Sequence, residues 1–269
     1  MSRTGKRKRT HMHGNPPTRP WIHRLSRTNP PGGIRLFCFP YAGGGASTFR
    51  GWAELLPPEI DVHAIQPPGR EDRLFEDPVD TLQDSLDAVV PELLEYSKEP
   101  FALFGHSLGA IVCWEAARVL REEHDVEPVH VFLSGCRALP AVHDGRRDLH
   151  TLPEGELIEE LRNMNGTPEE ILSSMDFMRM LLPAVRADYA MLSRYSFLPC
   201  KPPGIPVTVF GGASDPAVSM DHLQRWSELV EGDLDAVVLP GDHFFLHSSR
   251  EPLLSEMAKR LLGPGQTSL

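Results

Sequence analysis

Apolar runs alternate with segments of helical periodicity along the first half of the chain. Each run is short enough for a buried strand, and each intervening segment repeats its apolar residues every three or four positions. The predicted strands are 34–39, 61–65, 101–104 and 129–135, and the predicted helices are 49–56, 81–96 and 108–123. This alternation predicts a mainly parallel sheet with helices on both faces.

The alternation stops between about residues 137 and 200, where the sequence predicts helices alone. Helices are expected at 154–164, 168–174 and 176–198, the last interrupted at Pro183. An insertion after a middle strand lies above the carboxyl ends of a parallel sheet, where active sites are found. We therefore predict a lid that forms an apolar channel, although such residues more often form ordinary core. The apolar residues in question are Met164, Met175, Phe177, Met178, Met180, Leu181 and Leu182.

The alternation resumes after the insertion. Strands are predicted at 206–210 and 235–239, and helices at 221–230 and 252–262. The sequence thus predicts one α/β core, 32–136 and 201–263, interrupted by a helical insertion, 137–200. A disordered basic leader, 1–31, and a frayed tail, 264–269, are expected outside it.

Composition and charge narrow the classes of function. The chain has 269 residues, of which 41% are hydrophobic, enough for a sizeable core. Residues 1–30 hold eight basic and no acidic side chains, which leaves nineteen basic against 37 acidic in the remainder. An acidic body makes nucleic-acid binding by the folded domain unexpected, although the basic run at 6–9 has the charge for it. No apolar run reaches the ~20 residues of a membrane span, and the start lacks a secretory signal.

The cysteines indicate neither a metal site nor a disulfide framework. The chain has four, and none forms a C-x-x-C pair or a cluster with zinc spacing. Cys38 and Cys113 lie in apolar runs and are expected to be buried free thiols. The simplest interpretation is a protein of a reducing compartment.

The segment Gly105-His106-Ser107-Leu108-Gly109 is a G-x-S-x-G motif between a predicted strand and a predicted helix. In that context it predicts a nucleophile elbow, a sharp turn that lifts the serine clear of the sheet. The two glycines leave room where strand and helix pass closely.

A glycine-rich loop, 40–46, follows the first predicted strand. It is either a flexible turn or a loop whose backbone N–H groups approach a ligand oxygen, and the elbow downstream favours the second interpretation. The N–H groups of Leu108 and Ala42 are then the expected donors to an oxyanion.

A serine nucleophile needs a base and an acid to orient it, and the expected order along an α/β-hydrolase chain is serine, acid, histidine. Asp215 and His243 each follow a predicted strand and would lie at the same sheet edge as Ser107. We predict His243 as general base and Asp215 as its partner. The weaker candidates are Asp221, which resembles a helix N-cap, Asp242, and His247.

Five segments together resemble the type II thioesterases, the stand-alone editing enzymes of modular polyketide and nonribosomal peptide synthases. They are F-P-Y-A-G-G at 39–44, P-G-R-E-D-R at 68–73, G-H-S-L-G at 105–109, L-P-A-V-R-A-D-Y at 182–189 and G-D-H-F-F at 241–245. The elbow is common to most α/β-hydrolases, whereas the second and fourth segments are more selective. One departure is the segment Gln66-Pro67-Pro68-Gly69, where the family often has Tyr before Pro-Gly and this chain has Pro67.

The resemblance implies a cytoplasmic monomer with an α/β-hydrolase fold, a helical lid and no cofactor, which hydrolyses acyl thioesters from the phosphopantetheine arm of acyl or peptidyl carrier proteins. It also implies a triad of Ser107, Asp215 and His243, with Ala42 and Leu108 as oxyanion donors. A medium-chain thioesterase of fatty acid synthesis, a carboxylesterase and a catalytically silent binding protein remain alternatives.

Carrier proteins are usually acidic, so an acidic thioesterase would need a local basic patch to attract them. The candidates near the expected entrance are Arg70, Arg73, Arg137, Arg146 and Arg147. For any single one of them, solvated surface charge is the simpler interpretation.

Overall fold

The computed structural model describes residues 19–26, 32–142, 147–167, 169–199, 204–231 and 234–263. Its centre is a seven-stranded sheet with the strand order β1-β3-β2-β4-β5-β6-β7. All neighbouring strands pair in parallel except β1, which is antiparallel to β3. The strands are β1 (Ile22–Arg24), β2 (Ile34–Phe39), β3 (Ile60–Ile65), β4 (Phe101–His106), β5 (His130–Ser134), β6 (Val207–Gly212) and β7 (Asp235–Leu239).

Helices cover both faces of this sheet. The α-helices are α1 (Trp52–Leu55), α2 (Leu82–Tyr96), α3 (Leu108–His124), α4 (Glu154–Asn163), α5 (Glu169–Leu172), α6 (Met175–Arg194), α7 (Met220–Gln224), α8 (Phe245–Ser248) and α9 (Arg250–Leu262). Short 3-10 helices occur at Ala46–Phe49, Glu71–Arg73, Leu139–Ala141, Leu149–Thr151 and Arg225–Glu228.

Two hydrophobic clusters separate the helices from the sheet, one on each face. Along β2, Phe37 packs into the cluster under α2 and α3, whereas Leu36 and Cys38 pack into the cluster under α1 and α9. Successive side chains of a strand point to opposite faces, so a strand buried on both faces is apolar throughout. The predicted α/β architecture is confirmed.

The predicted disordered leader is wrong for residues 19–26, since β1 forms there. The backbone N–H groups of Trp21 and Ile22 donate to the carboxylate of Glu92 on α2, at 2.8 and 3.0 Å. Ile22 pairs with Ile65 of β3, and both are buried. The rest of the predicted leader, 1–18 and 27–31, and the predicted tail, 264–269, lie outside the described residues.

Several predicted helices end earlier than expected, and in two of them the local structure shows the reason. The segment predicted as one helix at 49–56 contains α1 alone, preceded by Gly51 with φ 83°, because that left-handed residue separates it from the 3-10 helix before it. The segment predicted at 221–230 consists of α7 followed by a 3-10 turn. Ser219, and not Asp221, caps α7, because its side chain accepts from the N–H of His222.

The described residues between 137 and 199 contain no strand, as the sequence predicts. The helix expected to be interrupted at Pro183 is the continuous α6. Pro183 lies on its exposed side, so water can satisfy the carbonyl that loses its hydrogen bond. Within the insertion, Met178 and Leu182 pack against Leu157 of α4 in a third hydrophobic cluster.

Cys38 and Cys113 are buried free thiols, as predicted, Cys136 is also buried, and Cys200 lies outside the described residues. Within the described ranges, no helix is both long and apolar enough to cross a bilayer.

Candidate active site

Ser107 occupies the sharp turn between β4 and α3. Its backbone has φ 55° and ψ −116°, a left-handed conformation that costs energy for a residue with a side chain. A Cβ on Gly105 would lie well under 3.0 Å from the carbonyl oxygen of Gly109, and a Cβ on Gly109 equally close to that of Phe39. The two glycines therefore permit the close passage that holds the serine above the sheet edge.

The structure brings together Ser107, His243 and Asp215. His243 Nε2 lies 3.1 Å from Ser107 Oγ, and His243 Nδ1 lies 2.7 Å from Asp215 Oδ2. Because an ionised carboxylate only accepts, the proton between them belongs to Nδ1, which leaves Nε2 to accept the serine proton. The three side chains form a continuous hydrogen-bonded chain that can activate a hydroxyl.

Asp215 is held rigidly in the loop after β6. Its Oδ1 accepts from the backbone N–H groups of Ala217 at 2.7 Å and Val218 at 3.2 Å, while Oδ2 faces the imidazole. The side chain is fully buried, whereas that of His243 is 15% exposed. The acid is thus fixed and shielded, and the base faces the solvent side of the site.

The other candidates for base and acid are not part of this hydrogen-bonded chain. His247 faces the hydroxyl of Tyr41, with 3.2 Å between Nε2 and the oxygen, and Asp242 accepts from the N–H of Phe244. Asp221 is exposed on α7.

His106 is fully buried beneath the site, with its Nδ1 2.8 Å from Ser134 Oγ. Burial lowers the pKa of His106 well below its usual range, and the nearby ring of His243 lowers this pKa further. His106 is therefore a neutral packing partner of the His243 ring, with 5.2 Å between the ring centres.

Both predicted oxyanion donors, Ala42 and Leu108, line the same cavity as Ser107 and His243. Leu108 is the first residue of α3, so its N–H lies at the positive end of a 17-residue helix.

Side chains from a neighbouring loop hold the glycine-rich loop that carries Ala42. Gln66 Oε1 accepts from the N–H of Ala46 at 2.6 Å, and Glu71 accepts from both the N–H and the hydroxyl of Ser47. Gln66 is therefore an anchor of this loop.

Comparison with known proteins decides the family. The profile of the thioesterase domain family matches residues 34–261. The chain belongs to the thioesterase family. It is a hydrolase of thioesters, as the sequence motifs predict.

The relatives place this thioesterase with the type II enzymes of polyketide and nonribosomal peptide pathways. It is 42% identical over 228 residues to the gramicidin S biosynthesis protein GrsT of Aneurinibacillus migulanus, covering 85% of this chain and 89% of GrsT. Its fold matches RedJ, a thioesterase of the prodiginine pathway in Streptomyces coelicolor, with TM-score 0.78 and 40% identity, covering 85% and 86% of the two chains. It matches the type II thioesterase BorB of the borrelidin cluster with TM-score 0.82 and 33% identity, covering 91% and 99%. The expected family and α/β-hydrolase fold are confirmed.

The cavity at Ser107 has a volume of about 500 Å³ and is roofed by the helical insertion. Met164, Tyr189 and Leu192 from the insertion line it. The expectation that the whole apolar stripe forms this channel is wrong: Met164 lines the cavity, but Met178 and Leu182 pack inside the insertion, and three further side chains of the stripe are exposed. Those exposed side chains are Met175, Phe177 and Met180.

The predicted basic patch is only partly present. Arg70 and Arg73 are buried, at 2% and 3% exposure, so neither can attract a carrier protein. Arg137 and Arg147 do line the cavity, and Arg147 pairs with Glu160. Arg146 lies outside the described residues.

Sequence reasoning missed the partner of Arg70. Its guanidinium forms a bidentate pair with Asp188 on α6, with 2.6 and 2.9 Å between nitrogens and oxygens. Both residues belong to the two most selective segments of the family resemblance, P-G-R-E-D-R and L-P-A-V-R-A-D-Y. The only indication in the sequence is that both segments are typical of the family. Their spacing along the chain does not predict that they contact each other.

Among the described residues, no group of three or more His, Cys, Asp or Glu side chains is placed to hold a metal ion. The chemistry that the site offers is the attack of an activated hydroxyl on an acyl carbon.

Proposed function

We propose that this protein is an editing thioesterase that removes acyl groups from the phosphopantetheine arms of carrier proteins in a polyketide or nonribosomal peptide synthase. The hydrogen-bonded chain from Ser107 through His243 to Asp215, open to a cavity under the helical insertion, is the observation that carries the proposal. Membership of the thioesterase family supports the choice of a thioester as the bond that is cleaved.

The reaction begins when Ser107 Oγ attacks the thioester carbon while His243 Nε2 takes the hydroxyl proton. The carbonyl oxygen becomes an oxyanion, which accepts hydrogen bonds from the N–H groups of Ala42 and Leu108. Asp215 stabilises the imidazolium that forms. The C–S bond then breaks, the thiolate of the pantetheine arm takes the proton from His243, and the acyl group stays on Ser107.

Water completes the cycle. His243 takes a proton from a water molecule as its oxygen attacks the acyl-serine carbon, through a second oxyanion held by the same donors. The C–Oγ bond breaks and Ser107 regains its proton from His243. The products are a carboxylic acid and a carrier protein with a free thiol. No step needs a metal or cofactor.

The helical insertion acts as a lid over the substrate channel in this proposal. The partners are acyl or peptidyl carrier domains, and neither nucleic acid nor a membrane takes part. Arg137 and Arg147 line the cavity on an otherwise acidic body, and Glu160, which also lines it, pairs with Arg147. We also propose that the protein works as a cytoplasmic monomer.

The test is a hydrolysis panel of one carrier protein loaded with acetyl, propionyl, malonyl or longer acyl chains, beside matched oxygen esters. We expect carrier-bound thioesters to be hydrolysed faster than oxygen esters, with short decarboxylated units preferred, because these block an assembly line. Faster turnover of the oxygen ester contradicts the proposal. A sharp preference for one long chain indicates product release instead of editing.

A further inference from the structure

The turn that carries the oxyanion donor Ala42 is held from the helical insertion. The N–H of Gly44 donates to the carbonyl of Tyr41 at 2.9 Å, and Gly43 has φ 81°. A positive φ at the third position is typical of a type II turn. Because a peptide is planar, the bond to the Tyr41 carbonyl also fixes the plane of the Ala42 N–H.

Two buried charged side chains hold this turn from outside. Asp188 Oδ2 accepts from the N–H of Gly43 at 2.7 Å, and Arg70 Nη1 donates to the carbonyl of Gly44 at 3.1 Å. The two side chains pair with each other, and each is at most 3% exposed. The N–H of Gly43 and the carbonyl of Gly44 are therefore both hydrogen-bonded to buried side chains.

The insertion also packs directly on the loops of the site. Val185, one helical turn before Asp188 on α6, leaves only 3.0 Å to the position of a Cβ on Gly43. Gly166 of the insertion lies so close to the ring of Phe244, next to His243, that a Cβ there would collide with it. The insertion is thus built into the loops that carry the donor and the base.

We propose that Asp188 and Arg70 are positioning residues that lock the Tyr41–Gly44 turn and so orient the Ala42 N–H toward the developing oxyanion. The proposal rests on the proposed function for the roles of Ser107 and Ala42. The insertion then supplies part of the oxyanion hole, in addition to roofing the substrate. The competing explanation is a plain structural link between insertion and core, which would affect stability alone.

Removing one charge of a buried pair leaves the other unpaired, so single variants can fail to fold. The double substitution Arg70→Met with Asp188→Leu removes both charges at similar volume and is expected to fold. Arg70→Lys keeps the charge but loses the bidentate geometry. Asp61→Asn is the matched control, because Asp61 is equally buried and pairs with Arg24, but lies near the amino end of β3, away from the site.

The experiment measures kcat and KM of each variant on an acyl-pantetheine thioester and on p-nitrophenyl acetate, together with inhibition by an alkylboronic acid. The boronate forms a tetrahedral adduct with the serine and so reports on the oxyanion hole. We expect the double variant to lose at least about tenfold in kcat and in boronate affinity, with KM within about threefold. Arg70→Lys should fall between it and the parent, and Asp61→Asn should lose thermal stability alone.

Unchanged kcat and boronate affinity in the folded double variant, or in Arg70→Lys, overturn the proposal. A loss of kcat without a loss of boronate affinity overturns it too, because the defect then lies outside the oxyanion hole. If the parent hydrolyses only p-nitrophenyl acetate, the proposed substrate class is wrong, but the ratio of variant to parent on that ester still tests Asp188 and Arg70.

Discussion

Asp215 uses both oxygens of one carboxylate for different purposes. One oxygen accepts from two backbone N–H groups, which fix the side chain, and the other faces His243 Nδ1. An amide of the same size could keep the backbone contacts through its oxygen. It would then present an NH₂ group to Nδ1 and favour the imidazole tautomer that cannot accept the proton of Ser107.

We therefore expect Asp215→Asn to fold normally and to lose about 10³- to 10⁴-fold in kcat, since the tautomer is wrong while the geometry is kept. Steady-state kinetics on an acyl thioester measure the loss, and thermal unfolding verifies the fold. Asp221→Asn, on the exposed surface of α7, is the control and should behave as the parent. Equal activity of the two variants would show that Asp215 is not the acid.

At the residue scale, the sequence indicates which side chains meet at the site but not what supports them. Ser107, Asp215 and His243 can be found because each follows a strand, and parallel strands end at one edge. The anchor of Gly43 could not be found this way. Asp188 lies on a helix of the insertion and Arg70 in a loop of the core, 118 positions apart. Only the packing of α6 against the loops of the core brings them together.

At the element scale, α3 passes close to the ends of β2 and β4. A Cβ on Gly109 would meet the carbonyl oxygens of both Phe39 and Pro40 under 3.0 Å, and these are backbone atoms that cannot rotate away. Backbone displacement here would move the start of the glycine-rich loop, which follows Pro40 directly. Packing of the elbow and geometry of the oxyanion hole are therefore coupled.

We predict that Gly109→Ala lowers the free energy of unfolding by about 1–3 kcal/mol through overpacking and also lowers kcat. Urea unfolding measures the first effect. Gly155→Ala is the matched control, because Gly155 lies in α4 with no atom within 4 Å of the added Cβ. It should be neutral or stabilise by up to ~1 kcal/mol, with unchanged kcat. A Gly109→Ala variant as stable as the parent would contradict the packing argument.

The strands and long helices are the elements that periodicity predicts well, because β2 to β6 bury continuous apolar stretches and α2, α3, α6 and α9 each bury an apolar face. The strand β1 was not predicted from the sequence, and the reason is physical. It has three residues in a basic, polar segment, and the N–H groups of Trp21 and Ile22 at its start donate to Glu92 of α2, which is distant in sequence. The sequence does not predict the boundary between the short helices of residues 46–55, because that boundary is set by a single left-handed residue, Gly51.

At the scale of the whole molecule, the site is assembled from both parts of the interrupted core and from the insertion between them. Ser107 and the glycine-rich loop come from the first part, and Asp215 and His243 from the second. The insertion contacts both, through Asp188 on one side and Gly166 on the other. The sequence predicts the core and the insertion as separate units. In the structure the two contact each other at the active site.

The central claim is that Ser107 of this thioesterase cleaves carrier-bound acyl thioesters. The most direct measurement is the release of acetate from an acetyl-loaded carrier protein by the parent and by Ser107→Ala, side by side. We predict turnover by the parent and a loss of at least about 10³-fold in kcat for the variant, because it lacks the hydroxyl that His243 activates. Release of acetate by Ser107→Ala at the rate of the parent would contradict the account.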